Sequence, residues 1–379
     1  MKWSYKLGSI QGIPIKLHVS FLIILLLFIW IFAVSEFEIF GIFIGFGGMD
    51  IPTWLKYLFS TIASVLFFST VLFHELSHSL VAKSYGTKIL SITLFALGGV
   101  AQMEEIPKDP RMEAKMAAAG PAFSLGIGIL TYAIYYLFGP VSPAGETITN
   151  AALIVVGIIA FYNIILGLFN LIPAFPMDGG RILRAFFAMR MPYLDATRRA
   201  VAVGKSFAFA MGIFGLLLFA RGGMWLMLIA VYLYFVASEE EKATIVSVSL
   251  EGIKVRNVMT SVPNVVHVPP DWTVNQLVDL MFRAKHMGYP VQESLSSPVL
   301  GVVTFADVRQ IPAPERDITR VKDIMNRELI SIGSDADALD ALKLMASRNV
   351  GRLIVMDAEQ IAGITSRTDL MRAIQFRGA

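Results

Sequence analysis

The sequence divides near residue 238 into a long apolar part and a mixed, more polar part. A helix needs about 20 apolar residues to cross the hydrocarbon core of a bilayer. Runs that reach or approach this length lie at roughly 17–35, 57–83, 114–138, 148–172, 201–219 and 223–238. Only three residues separate the last two runs, so these could be two tight spans or one broken element. The pattern predicts an α-helical polytopic membrane protein with about six spans.

The segment 88–105 follows the second run and alternates partly between apolar and polar residues. It is rich in Ile, Thr, Leu and Phe and has a turn signal at Gly98-Gly99, which is typical of a strand pair. Strands at membrane depth persist only where protein or a wet cavity covers them. We therefore expect a small membrane-embedded β element, whose edge could accept an extended peptide; an ordinary loop is the alternative. The short run 38–48 predicts an interfacial or re-entrant piece.

Residues 255–379 contain an internal duplication. The first copy, about 255–311, and the second, about 320–379, both have the pattern of short strand, helix, strand, strand, helix. The shared endings GVVTFAD and GITSRTD align Thr304 with Ser366 and Asp307 with Asp369. This duplication predicts a soluble α/β domain after the membrane part.

Composition agrees with this division. The chain has 379 residues, of which 55% are hydrophobic and 16% are charged, whereas about a quarter of a soluble protein is charged. We assign residues 1–242 to a membrane domain and 243–254 to a linker. The net charge of +3 is too small to indicate a nucleic acid partner. The absence of cysteine excludes disulfides, thiolate metal ligands and cysteine nucleophiles.

Lysine and arginine are concentrated on one side of the six-span arrangement. They cluster on the N-terminal segment, on the loops after the second and fourth runs, and after the last run, whereas only Lys56 and Arg221 lie opposite. Positive charge near spans is retained in the cytoplasm. We therefore expect a multi-pass protein of the cell membrane, embedded in the lipid bilayer, with both termini and the duplicated tail in the cytoplasm.

His74, Glu75 and His78 lie inside the second apolar run, in the sequence HELSH. Ionisable groups in a span are costly unless they face the protein interior and have partners. On a helix the two histidines are four residues apart, so both imidazoles project from one face and can share a metal ion. Glu75 lies beside them and can act as general base on a metal-bound water. The alternative is a pair of buried histidines that bond to carbonyls or line a proton path.

A catalytic zinc site with two histidines needs a third protein ligand. The best candidate is Asp178 in NLIPAFPMDGGR, because the prolines and glycines around it free the backbone to bend toward another span. Two histidines and one aspartate, with a water in the fourth position, fit a hydrolase. The alternative is that Asp178 caps a helix that begins at Gly179.

The HELSH helix, the NLIPAFPMDGGR segment and the six-span layout together resemble the site-2 metalloproteases, which cleave other proteins inside the membrane. The resemblance covers about residues 1–240 and implies a transmembrane protein as substrate. It also implies that the site consists of the zinc ligands His74, His78 and Asp178, the water-activating Glu75, and Asn170, which positions the substrate or polarises the scissile carbonyl.

Two glycine motifs also match this family. Gly98-Gly99 matches the glycine turn of its membrane-embedded sheet, and Gly120-Pro121 matches a glycine-proline in the third span. Many relatives have an asparagine shortly after that proline, whereas this chain has Ser124. This departure argues against a polar role at that position.

Water must reach a hydrolytic zinc site, which implies a polar channel from the cytoplasmic face. Glu104, Glu105 and Asp109 could line its mouth. Solvated loop charges are the simpler interpretation of these three residues.

The duplicated tail resembles a tandem pair of cystathionine-β-synthase (CBS) domains. Such pairs commonly bind an adenine nucleotide in the cleft between the copies. The resemblance implies ribose and phosphate contacts from Thr304, Asp307, Ser366 and Asp369, and Arg283 and Arg367 could neutralise phosphates. The alternative is a module that forms a homodimer and binds no ligand.

Two classes of function fit these features. The leading one is a zinc-dependent intramembrane endopeptidase that cleaves transmembrane or membrane-associated proteins and is regulated or dimerised through its CBS pair. The rival is a CBS-gated ion transporter or channel in which His74, Glu75 and Asp178 form an ion or proton relay. A relay does not need two histidines four residues apart around a glutamate, so the spacing favours the peptidase.

Overall fold

The structure is a computed structural model of the chain. It describes residues 3–96, 98–103, 109–138, 148–294, 297–357 and 360–378. The chain divides into two compact units, Met1–Lys242 and Ala243–Ala379.

The first unit is mainly helical. Its helices are α1 Val19–Val34, α2 Thr53–Ser84, α3 Pro110–Leu137, α4 Ile148–Asn170, α5 Asp178–Ala188, α6 Tyr193–Leu217 and the part of α7 Met224–Leu250 that precedes residue 243. Within the described ranges, four helices (α2, α3, α4 and α6) are long and apolar enough to cross a membrane. Helix α1 is also apolar but has only 16 residues. The chain therefore has a helical membrane part, as predicted.

Helix α7 continues well beyond the last predicted span. It ends at Leu250, so most of the segment 243–254 is helical. The residues between the apolar run and Gly252 contain no proline or glycine that would stop the helix. Gly252 has a φ of +70°, a left-handed conformation that an α-helix does not continue through.

A sheet accompanies the helices of the first unit. The strands of this unit are β1 Ser4–Ile10, β2 Ile13–His18, β3 Phe37–Ile39, β4 Ile42–Ile44, β5 Ile89–Phe95 and β6 Gly98–Met103. Four of them form one sheet in the order β1-β2-β5-β6, in which β2 and β5 are parallel. The predicted strand pair in 88–105 is thus present as β5 and β6, but it belongs to a larger sheet than expected. The run 38–48 contributes to the small hairpin β3–β4.

The second unit contains both copies of the duplication. Its strands are β7 Thr260–Ser261, β8 Gly288–Val291, β9 Gly301–Thr304, β10 Ser331–Gly333, β11 Arg352–Asp357 and β12 Gln360–Ser366. Its helices are α8 Val274–Ala284, α9 Phe305–Val308, α10 Val321–Ile324, α11 Ala338–Ser347 and α12 Arg367–Gly378. The strands form the sheets β10-β11-β12-β7 and β8-β9.

The two copies exchange backbone contacts at equivalent places. Strand β7, from the start of the first copy, pairs with β12 of the second, while Asn326, from the start of the second copy, bridges to β9 of the first. A Cβ at Gly363 would lie 2.5 Å from the carbonyl oxygen of Thr260, and one at Gly301 would lie 2.7 Å from that of Asn326. Both glycines are therefore needed for the exchange, which joins the copies into a single unit.

Candidate metal centre

The three predicted metal ligands converge on one locus. Helix α2 presents His74 and His78, which are 3% and 7% exposed, on one face. Their Nε2 atoms lie 3.2 Å apart, and the Oδ2 atom of Asp178 lies 3.4 Å from the first and 3.1 Å from the second. One ligand atom from each residue thus falls within 4.8 Å of the other two. Segments about 100 residues apart in the chain meet at this point.

The turn before α5 directs Asp178 toward the histidines. Helix α5 begins at Asp178, and Met177 is its N-cap residue, with no side-chain capping hydrogen bond. The alternative that Asp178 caps the helix is therefore wrong. A Cβ at Gly179 or Gly180 would collide with the backbone of the preceding turn, 171–175. The two glycines let this turn fold back on the first turn of α5, which sets the position of the carboxylate.

Helix α3 fixes the outer nitrogen of each imidazole. The Nδ1 atom of His74 lies 2.9 Å from the hydroxyl oxygen of Ser124, and Nδ1 of His78 lies 2.7 Å from the carbonyl oxygen of Met116. A partner on Nδ1 sets the orientation of a ligating histidine and leaves Nε2 for the metal. The expectation of no polar role at Ser124 is therefore wrong, because a hydroxyl serves there. Sequence patterns gave no signal for Met116, which acts through its backbone.

The space between the ligand atoms depends on Gly120. A Cβ at this position would collide with the Nε2 atoms of both His74 and His78, so the backbone of α3 lies directly against them. Two imidazole nitrogens and one carboxylate oxygen, next to a space that a single Cβ would fill, form the donor set of a catalytic zinc site. The residues present therefore fit a zinc ion.

Strand β6 lies against the predicted general base. Glu75 follows His74 on α2 and is partly buried, and a Cβ at Gly99 would collide with its side chain. Gly98, at the start of β6, has a φ of +124°, which favours glycine. Gly98 and Gly99 are thus the first residues of β6, paired with Phe95 and Leu94 of β5, and Gly99 brings the backbone of β6 beside the glutamate.

Other predicted residues lie in different settings. Asn170 is the last residue of α4 and is partly buried, at the start of the turn that leads to Asp178. Asp109 caps α3, because its carboxylate accepts hydrogen bonds from two backbone N–H groups at 2.9 Å. Glu104 and Glu105, the other two residues predicted at a channel mouth, lie outside the described residues.

The predicted nucleotide contacts form one hydrogen-bonded pair in each CBS-like copy. The hydroxyl of Thr304 donates to Oδ2 of Asp307 at 2.7 Å, and that of Ser366 donates to Oδ2 of Asp369 at 2.6 Å. The same carboxylates accept the backbone N–H groups of Thr304 and Ser366. The pairs thus occupy equivalent places at the starts of α9 and α12. Arg283 and Arg367 are exposed.

Comparison with known proteins gives the same division of the chain. The model of peptidase family M50 matches residues 62–152 and 137–213, and that of the CBS domain matches 255–313 and 321–376. A zinc metalloprotease of Methanocaldococcus jannaschii is 34% identical over 376 residues, which cover 99% of this chain and 97% of that protein. Rip3 of Mycobacterium tuberculosis, whose name also describes a zinc metalloprotease, is 29% identical over 386 residues, with coverage of 99% and 93%. Among solved structures, the site-2 protease from Methanocaldococcus jannaschii is 36% identical, covers 63% of this chain and 95% of that chain, and has a TM-score of 0.42.

Proposed function

This chain belongs to peptidase family M50 and is an intramembrane zinc metalloprotease with a CBS pair, and on that premise we propose that His74, His78 and Asp178 bind its zinc and that Glu75 is its general base. The observation that carries this proposal is the approach of one Asp178 oxygen to both histidine Nε2 atoms. The relatives confirm the predicted peptidase rather than the transporter.

Each side chain around the three ligands has a separate role in peptide hydrolysis. When bound, zinc supplies a Lewis acid that lowers the pKa of a coordinated water and polarises the peptide carbonyl. Glu75 takes a proton from the attacking water and delivers it to the leaving amine nitrogen as the carbon–nitrogen bond breaks. Asn170 donates an amide N–H to the oxyanion that develops on the carbonyl oxygen. The hydroxyl of Ser124 and the carbonyl of Met116 hold the imidazoles in place.

Strand β6 supplies a surface on which a substrate can be aligned. It pairs with β5 along one edge, and no other described strand pairs with it. An extended peptide added to the free edge would gain main-chain hydrogen bonds that do not depend on its sequence. Because Gly99 brings this strand against Glu75, the added peptide would pass beside the general base. The substrate is a transmembrane or membrane-associated protein whose cleaved segment is extended.

The proposed topology has six spans with both termini and the CBS pair in the cytoplasm. Four spans are α2, α3, α4 and α6, and the remaining two are α1 and the apolar first half of α7. The distribution of lysine and arginine supports this orientation, because nearly all of these residues near the spans fall on one side.

Ser124→Ala should weaken zinc binding by about 10- to 100-fold, the usual cost of removing a group that orients a metal ligand. The reason is that Nδ1 of His74 loses its partner and the ring is no longer held. The measurement is the zinc dissociation constant of the purified full-length protein, obtained by competition with a chelator. Ser64→Ala is the matched control, since this serine is also buried and its hydroxyl has no partner among the described residues. Equal zinc affinities of the Ser124→Ala and Ser64→Ala variants would contradict the role of Ser124 in orienting His74.

We also propose that the CBS pair binds an adenine nucleotide and shifts the protease between two states. The equivalent hydroxyl–carboxylate pairs at Thr304 and Ser366 support this, because they repeat one polar arrangement in both copies. A ligand can regulate only if its affinity differs between the two conformations. Typical couplings are about 1–3 kcal/mol, which corresponds to changes of roughly 5- to 150-fold.

Titration of ATP, ADP and AMP into the full-length protein should show binding of at least one nucleotide below millimolar concentration, with a change in the cleavage rate. Asp369→Asn should weaken binding, because it removes the negative charge that accepts hydrogen bonds from ribose hydroxyls. Asp271→Asn is the control, since this exposed carboxylate pairs with Lys322 on the surface. If no nucleotide binds, or if binding leaves cleavage unchanged, the pair is better interpreted as a homodimerisation module.

A further inference from the structure

A buried arginine ties the helix that carries Asp178 to two other helices. Arg184 lies six residues after Asp178 on α5 and is 1% exposed. Its Nε atom donates to Oε1 of Glu113 on α3 at 2.8 Å, and its Nη2 atom bonds to the same oxygen. Its Nη1 atom donates to Oε1 of Glu240 on α7 at 2.7 Å. The one guanidinium thus connects α5 to α3 and α7.

The same guanidinium also contacts the turn that precedes Asp178. Its central carbon lies 5.0 Å from the ring centroid of Phe175, in that turn, and 5.0 Å from that of Tyr193, the first residue of α6. A planar guanidinium stacks on aromatic faces while it donates hydrogen bonds at its edge. Arg184 therefore touches the segments on both sides of α5.

One face of α3 contacts both histidines on α2 and Arg184 on α5. Glu113, Met116, Gly120 and Ser124 are spaced by three or four residues and so share a helix face. Met116 and Ser124 hold the two histidines, and Gly120 makes room for their Nε2 atoms. Glu113 lies on the same face, and its hydrogen-bond partner is Arg184. Helix α3 supplies none of the three ligand atoms, yet it contacts both helices that do, α2 and α5.

The Glu113–Arg184 pair leaves one carboxylate oxygen of Glu113 without a hydrogen bond to any described residue. Both bonds from Arg184 end on Oε1, while Oε2 of Glu113 is buried without a hydrogen-bond partner among the described residues. A bidentate pair would use both oxygens, and a buried polar atom without a partner destabilises a fold. Removal of one partner would leave a buried charge unpaired, so a test of this pair has to keep the charge at position 184.

We propose that Arg184, held by Glu113 and Glu240, is a positioning residue that keeps Asp178 at the distance from the histidines that zinc binding requires. This proposal rests on the assignment of Asp178 as a zinc ligand. Metal–ligand distances are met within about 0.2 Å. The close packing of Gly179 and Gly180 on the preceding turn holds the start of α5, and Arg184 adds a second anchor farther along the same helix, on α3 and α7.

The test is Arg184→Lys in the full-length protein, because lysine keeps the charge but cannot reach both acids and the aromatic rings with a planar fork. We expect the zinc dissociation constant, measured by chelator competition, to rise by about 10- to 100-fold. The unfolding temperature of the metal-free protein should stay close to that of the parent. Glu113→Gln, which keeps an acceptor oxygen, should shift the constant in the same direction by less, and serves if the lysine variant does not fold.

Lys205→Met is the matched control, because it breaks the neighbouring ion pair of Lys205 with Glu241, at 3.1 Å, between α6 and α7. It should leave zinc affinity unchanged. If the Arg184 and Glu113 variants bind zinc like the parent while Asp178→Ala does not, the positioning role is overturned and the proposed site stands. If the control weakens zinc binding equally, the effect is one of general stability and the inference fails. If Asp178→Ala keeps its zinc, the proposed site itself fails.

Discussion

Glu75→Gln is expected to abolish cleavage while the protein keeps its zinc. The amide has the size of the carboxylate but cannot accept a proton from water, and loss of a general base costs about 10²- to 10⁴-fold in rate. Zinc is retained because Glu75 is not among the three groups whose ligand atoms converge. The measurement is the rate at which purified protein cleaves a membrane-protein substrate, with the zinc content determined on the same samples.

Ser77→Ala is the control for this variant. Ser77 lies on α2 between the two histidines, and its hydroxyl donates to the carbonyl oxygen of Phe73 at 2.8 Å rather than to the site. This variant should match the parent in both rate and zinc content. Equal turnover by the Glu75→Gln variant and the parent would contradict the role of general base, and loss of zinc from that variant would make Glu75 a ligand.

Asp178→Ala should deprive the protein of zinc and, with it, of activity. Two imidazoles alone leave a catalytic site one ligand short. The loss of affinity should exceed the roughly 10- to 100-fold that follows removal of a group that only orients a ligand. The measurement is the zinc content after dialysis of the folded, detergent-solubilised protein, together with its dissociation constant.

Asp109→Ala is the matched control, because Asp109 is an aspartate at a helix start that does cap its helix. Loss of a cap costs about 1 kcal/mol of stability and should leave the zinc in place. Full zinc occupancy in folded Asp178→Ala protein would show that the carboxylate is not a ligand. A different third ligand would then have to be sought near His74 and His78.

Periodic and repeated patterns in the sequence were enough to predict the histidine pair, the helical membrane part and the duplicated domain. Helical geometry alone puts His74 and His78 on one face, because residues four apart on a helix are neighbours. The lengths of the apolar runs indicated a helical membrane part, and the repeated ending at Thr304 and Ser366 indicated two copies of one fold. Each of these inferences needed only a period or a repeat that lies within one stretch of chain.

Contacts between distant segments were decided by the tertiary structure. The approach of Asp178 to the histidines was expected from the need for a third zinc ligand and from the family resemblance, but the sequence itself also allowed a helix cap. The orienting hydroxyl of Ser124, the buried contacts of Arg184 and the pairing of β2 with β5 come from elements that meet only when they pack. A periodic sequence pattern cannot predict these contacts between distant elements, because each contact depends on how the helices are spaced and rotated. Glycines such as Gly120 show the same limit, because the reason that no side chain fits there is the pair of imidazoles from another helix.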